Sequence, residues 1–225
     1  MVWLQGGPFL EVSFVLKLDG EKKEAIQAII DKLSNLDHKI EIVEERLGEI
    51  INSFSNGYPY DIEDPETVFI HAMHLRLYVH VAGRRKANLQ IEQISSNALL
   101  VFFCFYGSEY DAPEWDQIGI GDEDLICFNS FLTELYTTFQ FKLGSIGVEE
   151  DVLGLLDCEQ VRPNECYRFE KIKTQSFFDR NLTSFHSVIW NEQYGKLDPI
   201  PFDYKRLNHS GLFIKGNNRS RKERT

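Results

Sequence analysis

Residues 69–106 read FIHAMHLRLYVHVAGRRKANLQIEQISSNALLVFFCFY. Apolar residues alternate through LRLYVHV, the period of a strand that buries one face. Residues 88–94 and 99–106 continue as β-rich runs on either side of residues 95–98, whose Ser-Ser-Asn favours a turn. Residues 83–86 (GRRK) read as a basic turn. The stretch therefore predicts three antiparallel strands in a β meander with short loops. Its longest apolar run, ALLVFFCFY, falls short of the roughly 18 residues of a membrane span and suits a buried strand.

The reading extends in both directions. Toward the N-terminus, residues 9–18 (FLEVSFVLKL) form a β-rich run that Asp19 and Gly20 end. Residues 21–33 place Ala25, Ile26, Ile29, Ile30 and Leu33 at helical spacing. A turn at residues 34–38, a short strand at 39–43 and a second helix at 44–54 follow, with Leu47, Ile50, Ile51 and Phe54 inward. A single helix over residues 21–54 competes with this, but Ser34 and Asn35 interrupt it. Residues 56–65 are a loop by composition.

Toward the C-terminus, residues 107–121 (GSEYDAPEWDQIGIG) form a long acidic loop. Residues 122–139 read as a helix with Asp122 as N-cap and Glu123 and Asp124 in the first turn, where the helix dipole favours negative charge. Phe128, Phe131, Leu132, Leu135 and Phe139 make its apolar stripe. Residues 141–148 read as a strand whose Gly144 and Gly147 predict a bulge or a close backbone approach. A short helix is expected at residues 149–156, and short strands at 167–172, 188–190 and 212–214. The expected fold class is α+β: a central, mostly antiparallel sheet built on the meander, with amphipathic helices packed on one face. No Gly/Ser/Pro-rich linker divides residues 1–215, which are read as one domain with 162–215 as a candidate C-terminal subdomain. Residues 216–225 (GNNRSRKERT) read as a disordered basic tail.

Charge is distributed unevenly over the 225 residues. Between Ala87 and Val161 there are fourteen acids and one base, Lys142, a formal charge of −13 within a total of −11. Such a one-signed region repels nucleic acid and attracts basic partners. Seventeen Phe and nine Tyr against two Met predict a core of rigid rings. The first twenty residues carry no base ahead of the apolar stretch, and Gln5, Gly6, Gly7 and Pro8 interrupt it, so they fail as a secretory signal. A cytoplasmic setting follows as the expectation. Cys104 and Cys127 then read as buried thiols; Cys158 and Cys166, eight apart, could form a disulfide or half a metal site, and the missing secretory signal weighs against the disulfide.

The candidate site is the acidic loop with the start of the helix after it. Glu109, Asp111, Glu114 and Asp116 surround Tyr110 and Trp115, and Asp122, Glu123 and Asp124 follow. Acids interleaved with aromatics suit capture of a basic protein surface: charge steers the encounter and rings supply buried anchors. The competing reading is a solvated loop whose rings tuck back into the core. His71, His74 and His80, with Asp61 or Glu66 as a further ligand, are the candidate zinc set, but neither HExxH nor paired CxxC motifs occur. Residues 144–147 (GSIG) lack the Lys-Ser/Thr of a phosphate loop and run into three acids. Ser13, Ser145 and Ser187 lack a nucleophile-elbow context. No catalytic residue, metal or cofactor is assigned.

The function these features favour is an acidic protein-binding module, an inhibitor of the immunity-protein or antitoxin kind that neutralises a basic toxin or nuclease. A nucleic-acid-mimicking inhibitor is the alternative, as is a metal-dependent hydrolase using His74, His80 and carboxylates. Neither membrane association nor direct nucleic-acid binding is expected.

Overall fold

The structure is a computed structural model that describes residues 3–64, 66–156, 158–173, 182–197, 200 and 202–216. The elements run β1 (Phe9–Lys17), α1 (Lys22–Leu33), β2 (Ile40–Ile42), α2 (Leu47–Asn56), β3 (Tyr58–Pro59), β4 (Phe69–Ile70), β5 (Ala72–His80), β6 (Arg84–Ser95) and β7 (Ala98–Tyr106). They continue with α3 (Asp124–Phe139), β8 (Leu143–Val148), β9 (Phe185–Asn191), β10 (Tyr204–Arg206) and β11 (Gly211–Lys215). Nine strands make one sheet in the order β10-β11-β9-β8-β1-β7-β6-β5-β2, and β3 and β4 make a separate ribbon. All of the large sheet's pairings are antiparallel. The α+β expectation and the β5–β6–β7 meander hold.

Alternation along the strands divides the core into two layers. Val12 and Phe14 of β1 and Val101, Phe103 and Phe105 of β7 face the three helices. There they meet Ile26, Ile30 and Leu33 of α1, Ile51 and Phe54 of α2, and Phe128, Phe131 and Leu135 of α3. The opposite face carries Val15, Leu100 and Leu143, covered by Val152, Leu155, Tyr167, Phe169 and Leu197 from irregular segments. The helices thus occupy one face, and short 3-10 turns supply much of the other cover. The interruption at Ser34 is real. Its backbone N–H and its Oγ both reach Ile30 O at 3.0 and 2.9 Å, ending α1 before β2 begins.

Several expectations are corrected. Arg84–Lys86 do not form a turn; they begin β6, and the turn lies at residues 81–83, where Ala82 and Gly83 have φ of +47 and +97°. Asp122 does not cap α3. The helix starts at Asp124, with Glu123 already in helical backbone and no side-chain cap at that position. Residues 167–172 are not a strand but lie across two 3-10 turns, Glu165–Tyr167 and Phe169–Lys171. The helix expected at residues 149–156 is a 3-10 turn, Val152–Leu155, capped by Asp151. Cys158 and Cys166 form a disulfide, with Cα atoms 6.2 Å apart, and Cys104 and Cys127 are only partly buried. The sequence contains no geometry for judging a pairing, so compartment alone had decided that expectation. The basic tail read at residues 216–225 lies outside the described residues except for Gly216. No helix among the described residues is long and apolar enough to cross a membrane.

Candidate functional site

The acidic loop between β7 and α3 is organised by Arg85, one of the residues read as a basic turn. On β6 its side chain points inward and is 4% exposed. Its Nε donates to Val81 O and Ala82 O at 3.1 and 3.2 Å. Its Nη1 donates to Ile118 O and Gly119 O at 2.9 and 2.7 Å. Nη2 donates to Asp124 Oδ2 at 3.0 Å, and the same oxygen accepts from Gly121 N at 3.0 Å. A guanidinium offers five N–H donors in a fixed fork, and here it joins the loop's end, a turn and a helix start.

Within the loop, Asp111 Oδ1 accepts from Gly119 N at 2.6 Å, and Ala112 and Gln117 form an isolated bridge. Gly119 must be glycine-sized: a Cβ there would fall 2.6 Å from Glu109 O. Gln117 is buried and exchanges two hydrogen bonds with the Gln5 backbone, at 2.8 and 2.9 Å. A 3-10 turn, Pro113–Trp115, forms the tip, and Asp116 closes it at φ +53°. Lys86 Nζ donates to Trp115 O at 2.6 Å and stands 3.7 Å from Asp116.

The sequence-selected residues separate accordingly. Glu109, Asp111, Glu114, Asp116, Asp122 and Glu123 are exposed, as are Tyr110 (72%) and Trp115 (40%). Asp124 is only partly exposed, at 32%, and its carboxylate is committed to Arg85 and Gly121. Trp115 is the more tethered ring, lying 3.6 Å from where a Cβ on Gly6 would sit. Ile118 and Ile126, at 43% and 72% exposed, add apolar surface that charge reading had passed over.

A second constellation had no sequence assignment. Glu11 on β1 lies opposite Cys104 on β7, and Glu92, Asp151 and Arg162 come together nearby. Arg162 Nε is 3.2 Å from Glu92 Oε1 and Nη1 is 3.6 Å from Asp151 Oδ2. Burial, with repulsion from Asp151, Glu149 and Glu150, pushes the Glu11 carboxyl up to about 7. Burial also raises Glu92 and Asp151. Burial pushes the Cys104 thiol up to about 12, with Glu11 adding to the effect, so it is no thiolate nucleophile. The arrangement can hold and release a proton near neutrality. The available signal was an acid inside an apolar strand, FLEVSFVL.

The other candidates stay apart. His71 is buried, its Nδ1 donating to Phe54 O at 2.8 Å and its Nε2 accepting from Lys22 Nζ at 2.7 Å. His80 Nε2 pairs with Glu41 at 2.8 Å. His74 and His80 share a face of β5, but six residues of strand separate them by about 20 Å. Among the described residues no group of three or more His, Cys, Asp and Glu is placed to hold a metal. Ser13 and Ser145 hydroxyls lie 3.1 Å apart, and Ser13 Oγ also accepts from Val152 N at 2.8 Å, a buried link between strands and cover.

No family model matches the chain, and no curated protein matches it in sequence. Among solved structures the Pseudomonas aeruginosa T6SS protein PA0821 is similar at 12% identity with a TM-score of 0.41, over 92% of this chain. The chain spans 64% of that protein's length.

Proposed function

We propose that this protein is an acidic binding module that neutralises a basic protein partner, in the manner of an immunity protein or antitoxin, and that it is not an enzyme. The observation that carries the reading is a loop whose backbone is fastened while its acids stay in water. Glu109, Glu114 and Asp116 are exposed around Tyr110 and Trp115, on a frame held by Arg85, Gln117 and Asp111. A pre-organised loop loses little conformational freedom on binding, and its charges accelerate encounter with a cationic surface. Nucleases and other nucleic-acid-directed toxins carry such surfaces. A cytoplasmic setting remains part of this reading, although the Cys158–Cys166 disulfide is a feature more often kept in oxidising compartments.

The test begins with affinity capture from host lysate, eluted by a salt gradient, followed by association kinetics on the captured partner. Glu109→Gln, Glu114→Gln and Asp116→Asn together leave the Asp111 hydrogen bond in place, and Asn accepts the left-handed backbone at position 116. The triple variant is expected to melt like the wild type and to associate about tenfold more slowly at low salt. The two rates should converge at high salt. An unchanged low-salt rate would remove the loop from the function.

A further inference from the structure

Residues 58–64 and 66–70 make a small arm between α2 and β5. Its base is fixed. Gly57 has φ +69° and lies against the His71 ring, where a Cβ would fall 2.6 Å from Cε1. His71 is itself tied to Phe54 O and Lys22. The arm pairs Tyr58 with Ile70 and Pro59 with Phe69, and Tyr60 N donates to Val68 O at 2.9 Å. At the tip, Asp61 N donates to Thr67 Oγ1 at 2.9 Å. Asp61 and Asp64 side chains accept from Glu63 N and Glu66 N at 2.9 and 2.8 Å.

The backbone is thus organised while its apolar side chains face water. Tyr58, Tyr60, Ile62, Val68 and Phe69 are 51, 59, 87, 47 and 53% exposed. Opposite residues of an antiparallel pair share a face, so Tyr58, Tyr60 and Val68 stand together and Phe69 lies on the reverse. The shared face of Tyr58, Tyr60 and Val68 offers an exposed apolar surface of the kind that binding sites use. The same segment carries Asp61, Glu63, Asp64 and Glu66 and no Lys or Arg. None of the four acids makes an ion pair with a described residue.

We propose that the 58–70 arm docks a second protein whose surface is basic around an apolar cleft. Charge selects this occupant. Two copies meeting through the arm would set four carboxylates against four, and anionic lipid or nucleic acid would be repelled in the same way. The site is separate from the acidic loop. The arm leads into β5 at Ala72, opposite Glu92 on β6, while the loop leaves β7 beyond Phe105, opposite Ala87 on β6. Five residues of strand put these ends about 17 Å apart. The inference stands whether or not the loop binds anything.

The test titrates the full-length, nitrogen-15-labelled chain with a synthetic 15-residue peptide alternating Lys and Leu, and with a Lys/Ser counterpart. The Lys/Leu peptide is expected to shift the amides of residues 58, 60–64 and 66–70 and to bind about tenfold more tightly than Lys/Ser. Tyr60→Ser/Ile62→Ser/Val68→Ser should weaken it about tenfold. Glu63→Gln/Glu66→Gln, which keeps the Asp61 and Asp64 acceptors, should weaken it about threefold at low salt. The acidic-loop triple variant should retain the arm's shifts. Shifts confined to residues 107–124, no peptide binding, or variants that bind equally well would overturn the proposal. So would concentration-dependent arm shifts without peptide, or arm shifts produced by phosphatidylcholine/phosphatidylglycerol vesicles instead of the peptide.

Discussion

Arg85 Nη2 stands 3.0 Å from Asp124 Oδ2 beneath the acidic loop, joining β6 to the first residue of α3. Burial pushes the guanidinium below its ordinary pKa, and Asp124 opposes that push. An acid chosen from sequence as a partner contact is therefore a fastening of the fold. Asp124→Asn is expected to lower stability by about 1–3 kcal/mol, because it weakens a charge-assisted bond to a buried cation. Arg85→Ala should cost about 3–5 kcal/mol, since it also strands carbonyls of the loop and turn. Denaturant unfolding of both variants and the double variant checks this. A coupling energy near zero would mean that the contact does not hold the helix to the strand.

Tyr110 and Trp115 divide the anchoring work differently. Tyr110 is 72% exposed, while Trp115 is 40% exposed, rests against Gly6 and has its carbonyl held by Lys86. Tyr110→Ala should change stability by less than about 0.5 kcal/mol, and Trp115→Ala should cost about 1 kcal/mol. Against a captured partner, Trp115→Ala should also raise the off-rate by an amount matching about 2 kcal/mol. Melting curves and dissociation kinetics on the same samples separate the two effects. A Trp115 that lowers only the melting temperature is purely structural.

Glu11 predicts a pH dependence. Its folded pKa is raised from 4.5 to about 7, so between those values the folded state holds a proton that the unfolded chain has released. Stability contributed through Glu11 therefore falls as pH rises from about 4.5 to about 7, and levels off above. Glu11→Gln removes that slope and should be the more stable protein at pH 8, by about 1–2 kcal/mol after discounting the shift for solvent screening. His71 acts in the opposite direction. Burial, with the Lys22 ammonium adding to it, lowers its pKa below 6.5, so its contribution is lost as pH falls below 6.5. The reading is therefore the difference between wild type and Glu11→Gln across pH 4 to 9. A constant difference would show that Glu11 titrates alike in both states.

The strands and helices were legible where one side chain in two, or one face in 3.6, had to be apolar. LRLYVHV and the Ile26–Ile29–Ile30–Leu33 stripe belong to that class. Gly144 was legible too: a Cβ there would lie 2.6 Å from the Phe141 ring, and β8 carries a register shift at Gly147. The cover over the opposite sheet face was not, because 3-10 turns such as Val152–Leu155 are too short to show a period. Arg85 was hidden for another reason. In GRRK a strand's inward cation looks the same as a solvated turn, and only the carbonyls of distant residues 118 and 119 explain its burial. The exposure of Tyr110 and the acids around it was legible because composition marks exposed loops. The bond from Arg85 to Asp124 was not legible, because composition does not record partners.

The Cys158–Cys166 disulfide closes a segment that leads from the acidic turn at residues 149–151 to Tyr167 and Phe169 in the sheet's cover. Tyr167 Oη reaches back to Cys158 O at 2.8 Å, so the bridge and the ring hold the same turn. Arg162, which pairs with Glu92 and Asp151, lies inside that closed segment. Restricting the segment in the unfolded chain should contribute about 2 kcal/mol, and Cys158→Ser/Cys166→Ser should lose that much. It should also loosen Arg162 and steepen the pH dependence attributed to Glu11, because the cation that offsets the carboxylates would be held less firmly. Thiol titration of denatured, unreduced protein should find two reactive cysteines, Cys104 and Cys127, and four after reduction. Four reactive thiols before reduction in protein prepared without reductant would place the bridge outside the native state and return the chain to a fully reduced one.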